Sequence, residues 1–207
     1  MDTIELILVS PRSEMYSAWE KQFRDVPFVS IENTRFEKLT MFDCVVSSAN
    51  SFGLMDGGVD AAISSFFGKQ LMERIQKKIL EEFMGEQPVG TSFIIETQSQ
   101  SHPYLAHTPT MRTPMSVKRT DNVYLAMWSM LLAVRKHNSL HSDIRKIACP
   151  ALGTGAGEVP FAEAARQMAL AYRHFLYPPD KLDWNMALDR QGSIMFGGDL
   201  GFSLIEK

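Results

Sequence analysis

Apolar positions along this chain follow two rhythms that take turns. Residues 4–9 form a short apolar run that stops at Ser10-Pro11, as a buried strand does. Behind Ser13, a residue suited to capping a helix, Tyr16, Trp19 and Phe23 recur at helical spacing. A short strand is expected at 28–31, and a β-branched one within Asp43-Cys44-Val45-Val46-Ser47-Ser48, apolar enough to be covered on both faces. Ile63, Phe67, Leu71, Ile75 and Ile79 repeat every four residues, which predicts one long helix starting near Val59 and closed by Gly85 and Gly90. Strands are predicted at 91–96, 104–108 and 144–149, and helices after Thr120 or Asp121 and over 161–176. The first of these helices carries Val123, Met127, Met130 and Val134 on one face; the second carries Ala165, Met168 and Tyr172. Pro109 and Pro114 bracket a loop, and Pro178-Pro179 ends the alternation.

Strands that alternate with helices predict an α/β fold, a mixed but mostly parallel sheet flanked by helices in three layers. Right-handed crossovers place loops that leave a strand and enter a helix at the carboxyl edge of such a sheet, where open α/β sheets bind ligands. The domain is expected to span residues 1–179. Residues 180–207 are expected to form an extension packed on it through Trp184 and Phe196, with a closing strand at 202–205.

Composition narrows the function classes. The 207 residues are 45% hydrophobic and 22% charged, which suits a globular core and rules out wholesale disorder. A net charge of −3 lacks the basic excess of a general nucleic-acid binder. The longest apolar run, 125–134, is about half of the ~20 residues that cross a bilayer, so no membrane partner is expected. The chain starts Met1-Asp2-Thr3-Ile4-Glu5, without the basic start of a secretory signal. Its two cysteines, Cys44 and Cys149, lie in apolar strands and are expected to be inert, which fits a reducing, cytoplasmic location. His137 and His141 stand four apart, but no glutamate completes a His-Glu-x-x-His motif, so no metal is expected. His107 is expected to be a satisfied core histidine, and Arg112 a solvent-exposed loop arginine.

Two glycine-rich loops carry the candidate chemistry. The first, Ala49-Asn50-Ser51-Phe52-Gly53-Leu54-Met55-Asp56-Gly57-Gly58-Val59-Asp60, leaves a strand and enters a helix. Glycines let backbone approach a ligand closely, and a helix start adds partial positive charge, a combination that suits a diphosphate. The second, Pro150-Ala151-Leu152-Gly153-Thr154-Gly155-Ala156-Gly157-Glu158-Val159-Pro160, has the same strand-to-helix setting. It matches neither the dinucleotide fingerprint nor a Walker loop. Two such loops in one small sheet can hold a diphosphate from both sides.

The stretch Asp43-Cys44-Val45-Val46-Ser47-Ser48-Ala49-Asn50, with Gly57-Gly58-Val59-Asp60-Ala61-Ala62-Ile63 after it, resembles the signature of the macro domain family. There the strand reads close to D-A-I-V-N-A-A-N and the loop G-G-G-V-D-x-A-I. Residues 150–160 are similar to the family's second loop, P-x-x-S-T-G-x-x-G-x-P, and the likeness covers most of 28–176. The resemblance suggests a divergent, stand-alone member of bacterial or phage-like type. It implies binding of ADP-ribose, alone or on a protein or metabolite, and hydrolysis of an ADP-ribosyl or O-acyl-ADP-ribose ester bond. A non-catalytic module that senses such a nucleotide is the alternative, and a vestigial pocket in a structural assembly is a third reading. On this reading Gly57, Gly58 and Val59 face the diphosphate from one side and Gly153, Thr154, Gly155 and Ala156 from the other, and Ala49 and Gly157 also contribute to ADP-ribose binding. Asn50 fixes a hydroxyl of the distal ribose, and Asp60 orients or activates a water there. Asn33 or Thr34 takes the adenine. No metal or cofactor is required.

The chain also departs from the family pattern. Ser47 replaces the first asparagine, and Met55-Asp56 replace two glycines. An aromatic residue is missing from the second loop, and residues 109–114 form an unusual insert.

Overall fold

The structure, a computed structural model, describes residues 4–198. Six strands form one sheet: β1 (Glu5–Val9), β2 (Val29–Glu32), β3 (Cys44–Ser47), β4 (Phe93–Glu96), β5 (Tyr104–His107) and β6 (Lys146–Pro150). Between and after them run α1 (Ser13–Phe23), α2 (Gly58–Phe67), α3 (Gln70–Phe83), α4 (Asn122–Asn138), α5 (Phe161–Leu176) and α6 (Trp184–Ile194). The strand order is β2-β1-β6-β3-β5-β4, parallel throughout except for β4, which runs antiparallel to β5. This is the mixed, mostly parallel α/β fold expected from the alternation of elements.

Strand parity divides the core into two layers. Leu6, Leu8, Cys44, Val46, Ile147 and Cys149 point to one face, where α1, α4 and α5 cover them with Trp19, Met127, Met130, Met168 and Tyr172. Ile7, Val9, Val45, Leu105 and Ala148 point to the other, under Ile63 of α2 and Leu71, Ile75 and Ile79 of α3. Both faces are therefore dry, which is why β3 reads as a continuous apolar run.

The single long helix expected from Val59 onward is instead two helices. A repeat of four drifts about 40° per step around a helix of 3.6 residues per turn, so one straight rod cannot keep Ile63 through Ile79 on the sheet. Gly68, at φ +89°, ends α2 and resets the register. Neither Ser13 nor Asp121 caps its helix through a side chain; the Thr120 hydroxyl accepts from Asn122 N–H at 3.3 Å.

Trp184, expected to pack on the domain, is 76% exposed, and Phe196 is half-buried. A polar clamp holds the segment instead. The Arg166 guanidinium donates to the carbonyls of Ser193 at 2.7 Å and Met195 at 2.8 Å while paired with Glu163, and Glu163 also accepts from Gly197 N–H. Arg190 lies 5.3 Å from the ring centre of Trp128. The strand expected at 202–205 lies outside the described residues. Removing one member of a half-buried charged network leaves its partners unsatisfied, so Arg166→Ala is expected to cost about 1–3 kcal/mol. A thermal melt with the transition unmoved would refute that clamp. Among the described residues, no helix is long and apolar enough to cross a membrane.

Candidate functional site

The carboxyl ends of the parallel strands open into a cleft of about 580 Å³. Its lining follows the sheet order: Thr34, Arg35 and Glu37 after β2, Ser10 and Pro11 after β1, Pro150 and Ala151 at the end of β6, Ser48, Ala49 and Asn50 after β3, and Thr110, Met111 and Pro114 after β5. The two glycine-rich loops form its middle, with Gly57, Gly58 and Val59 from one and Gly153, Thr154, Gly155 and Ala156 from the other.

The first loop is pinned from beneath. The Asn50 side chain accepts from the N–H groups of Phe52 (3.1 Å) and Leu54 (3.3 Å) and donates to the Leu54 carbonyl (2.8 Å). One amide hydrogen of Asn50 is left for anything in the cleft. Ser51 N–H bonds the carbonyls of Met111 and Arg112, tying the loop to the insert after β5. The two residues that interrupt the glycine run part ways. Met55 turns into the core beside α3 and is 2% exposed, while Asp56 is exposed at the cleft wall. Gly58 sits at φ +56°, a conformation that favours glycine, and among the described residues a Cβ on Gly57 or Gly58 would meet nothing within 4 Å.

Glycines of the second loop serve two purposes. A Cβ on Gly153 would lie 2.7 Å from Val123, and one on Gly157 would lie 2.4 Å from the Gly153 carbonyl oxygen. Those two glycines let the loop close on itself, where Val159 N–H bonds the Gly153 carbonyl at 3.1 Å. Gly157 does not line the cleft. Gly155, by contrast, faces open space with nothing within 4 Å of a Cβ.

Asp60, in the first turn of α2, lies on the cleft floor at 8% exposure. The buried Ser47 hydroxyl donates to it at 2.5 Å. Burial pushes its carboxyl up to about 6, and the Ser47 hydrogen bond opposes the shift without cancelling it. Desolvation thus outweighs the favourable helix start without neutralising the group. Asp60 remains mostly ionised at pH 7 but is a much better base than a surface aspartate.

His107 is not the fully satisfied histidine expected. Its Nδ1 faces Gln87 Oε1 at 2.6 Å, its Nε2 has no partner among the described residues, and burial lowers its pKa to about 3, so the ring is neutral. Burial pushes both cysteine thiols up and keeps them protonated. Arg112 is exposed and paired with Glu86 at 2.6 Å. His137 is spent on Asp143 at 2.8 Å, and among the described residues no cluster of His, Cys, Asp and Glu is placed to hold a metal. At the β2 end, Thr34 lines the cleft, whereas Asn33 is exposed and donates to the Ser10 carbonyl at 2.9 Å, off the lining. Sequence reasoning missed Arg35 and Glu37 here and Leu54, Met111 and Pro114 at the opposite end. The rule that ligands sit beyond strand ends would have reached the first pair; the second group depends on how the insert folds back.

The Macro domain family pattern matches residues 46–168, spanning both loops. An uncharacterized protein of Aquifex aeolicus is 32% identical over 133 residues, covering 64% of this chain and 74% of its own length. A second, from Aeropyrum pernix, is 30% identical over 129 residues, 62% of each chain. Among solved structures, the macrodomain of Mycobacterium tuberculosis DarG superposes with a TM-score of 0.55 at 17% identity, covering 66% of this chain and 84% of that one. The Oceanobacillus iheyensis macrodomain gives 0.57 at 24% identity, covering 70% of this chain and 75% of that one. Pattern, fold and the order of the two loops agree, and the chain belongs to the Macro domain family.

Proposed function

We propose that the cleft binds ADP-ribose or a nucleotide that carries it, with the diphosphate between the two loops. The observation that carries this reading is the pair of glycine-lined walls that face open space at Gly57, Gly58 and Gly155. Backbone at those positions can approach an anion closely, and the start of α2 favours negative charge. Solved relatives support the choice of ligand: one Oceanobacillus iheyensis macrodomain is described with ADP, a variant of it with ADPR, and the Trypanosoma brucei macrodomain in complex with ADP. The base lies toward Thr34 and Arg35, and the distal ribose toward Asn50 and Asp60. Titration calorimetry with ADP-ribose is the test. Saturable binding is expected, and its absence from the folded protein overturns the assignment.

Asp60 supports hydrolysis of an ADP-ribosyl or O-acyl-ADP-ribose ester as the activity of this cleft. A carboxylate shifted toward neutrality on the floor of the cleft can take a proton from a water aimed at the ribose carbon or the acyl group. Asn50 spends most of its amide on its own loop and keeps one amide hydrogen for that water or for the ribose. That same commitment of Asn50 favours the second reading, a module that binds the nucleotide without cleaving it. Release of ADP-ribose from a mono-ADP-ribosylated protein separates the two.

A further inference from the structure

Asp60 sits in a helix start that has little of its own to hold it. Gly57 and Gly58 lead into α2, and no side chain caps the helix. Among the described residues, the hydrogen bond from Ser47 is what ties the Asp60 side chain to the sheet. Ser47 is a firm anchor. It ends β3, a strand with β6 on one side and β5 on the other, and it is paired in register with His107. Its carbonyl accepts from Thr108 N–H at 2.9 Å, and its side chain is fully buried. A group on such a strand holds its geometry better than one on a glycine-rich loop.

The two oxygens of the Asp60 carboxylate have different surroundings. Oδ1 accepts from the Ser47 hydroxyl at 2.5 Å. Among the described residues, the buried side-chain atoms left without a partner belong to Trp19, Arg74 and His107. Oδ2 is not one of them and accepts nothing from the protein, so it is the oxygen open to the cleft that Asp60 lines. Ser47 itself does not line the cleft. No charged group rivals it as a partner. From α3, the residues in the shared layer are Leu71, Ile75 and Ile79; β3 adds Val45; and His107 at the end of β5 is neutral. Asp56 is exposed on the cleft wall, and Arg35 and Glu37 stand at the β2 end. Only burial and the Ser47 hydrogen bond move the Asp60 carboxyl from its ordinary value.

We propose that Ser47 is a positioning residue for hydrolysis: it holds Oδ1 of Asp60 against the sheet and so aims Oδ2 at the attacking water. The inference rests on the hydrolytic reading of Asp60 and adds how the base is held. In the step it serves, a proton of the water passes to Oδ2 while the water oxygen bonds to the carbon under attack. The ester C–O bond breaks, its electron pair leaves on the departing oxygen, and Asp60 can return the proton to that oxygen. Ser47 touches neither water nor nucleotide. Its hydrogen bond favours the ionised carboxylate, so it weakens the base that it aims. Removing the hydroxyl therefore has two effects of opposite sign on the rate, and they can be told apart.

Ser47→Ala takes one oxygen from the strand and leaves its backbone pairing intact. Three measurements on the folded variant make the test: ADP-ribose affinity by calorimetry, the titration of the Asp60 carboxyl carbon by NMR, and single-turnover release of ADP-ribose from a mono-ADP-ribosylated protein across pH. Comparison with Asp60→Asn assigns the NMR signal. Affinity should hold, because Ser47 is outside the cleft lining. The carboxyl should titrate higher than about 6, because a hydrogen bond to its ionised form is gone. On the alkaline plateau, release should be about 10–100-fold slower although the base is stronger, since a displacement of about 1 Å can cost that much. Ser47→Thr keeps the hydroxyl on a residue suited to a strand and should restore the plateau rate. A Ser47→Ala plateau equal to or above that of the unmutated protein overturns the proposal, since it would show tuning without positioning. An unmoved titration, a loss of affinity as large as the loss of rate, or a threonine variant as slow as the alanine one overturns it too. No release by the unmutated protein is a different result: it overturns the hydrolytic reading itself and leaves Ser47 a structural partner of Asp60.

Discussion

Asp60→Asn is expected to slow release of ADP-ribose about 10²–10⁴-fold while changing ADP-ribose affinity little. Asparagine keeps the size of the side chain and an oxygen to accept the Ser47 hydrogen bond, so the geometry of the cleft floor survives. It loses the lone pair that can take a proton. The diphosphate is held by backbone on the two loops, which the substitution leaves in place. Single-turnover release at saturating enzyme measures the chemical step directly. Near-normal release by Asp60→Asn would assign the residue to the helix start alone. The rate should also climb with pH through about 6 in the unmutated protein, as the buried carboxyl gives up its proton.

Stability gives a second reading of the same side chain. Asp60 holds its proton to about pH 6 in the folded chain, against the ordinary 3.8 when unfolded. Over that interval the native state binds more protons, so the contribution of Asp60 to stability falls as pH rises. Above pH 6 the buried charge is a standing cost that a neutral asparagine side chain does not carry. Asp60→Asn is therefore expected to be more stable than the parent at pH 7 by about 1–2 kcal/mol and nearly equal to it at pH 4. A residue that only caps the helix predicts the opposite at pH 7, because loss of the negative charge beside the helix start would lower the melting temperature.

What could be read in the chain depended on how local its cause is. Alternation of strands and helices is local, and so is a glycine turn between them; both loops and the carboxyl-edge cleft were legible for that reason. The break between α2 and α3 was hidden by the repeat of four, since Gly68 interrupts the chain without interrupting the apolar pattern. The segment after Pro179 misled in the other direction. Trp184 is the most apolar-looking anchor there, yet Arg166 and Glu163, in the first turns of α5, do the holding. No periodicity marks a buried ion pair in advance.

Within the site, Asp60 was legible as a residue and as an ionised one at neutral pH, but the upward shift of its carboxyl was not. The helix start is a feature of sequence, whereas the desolvation that outweighs it comes from the sheet and loops packed over α2. Asn50 likewise stood out by its place in the motif, but its three hydrogen bonds to Phe52 and Leu54 appear only when the loop folds over it. The glycines of the second loop look alike in sequence. Only the fold divides them into Gly153 and Gly157, which the loop itself needs, and Gly155, which it does not.

That division makes Gly155→Glu the sharper of the two large-effect substitutions. Glutamate at Gly153 or Gly157 would clash with Val123 or with the loop backbone, and loss of binding there would report misfolding. At Gly155 a Cβ meets nothing within 4 Å, and the side chain can extend only into the cleft or the solvent above it. The melting temperature should stay within a degree or two of the parent, since surface substitutions without a clash cost about 0.5 kcal/mol or less. ADP-ribose affinity, in contrast, should fall about 100-fold or more. A carboxylate about 4 Å from a diphosphate oxygen repels it by about 4 kcal/mol at the effective dielectric of a protein surface, and rotation toward solvent returns only part of that. Gly155→Gln separates the causes, because it has the same bulk without the charge. If charge dominates, glutamine should lose about tenfold, and high salt should restore part of the glutamate variant's affinity but not the glutamine variant's. An unchanged affinity in folded Gly155→Glu would move the diphosphate away from the second loop, and with it the direction in which the nucleotide lies across the sheet.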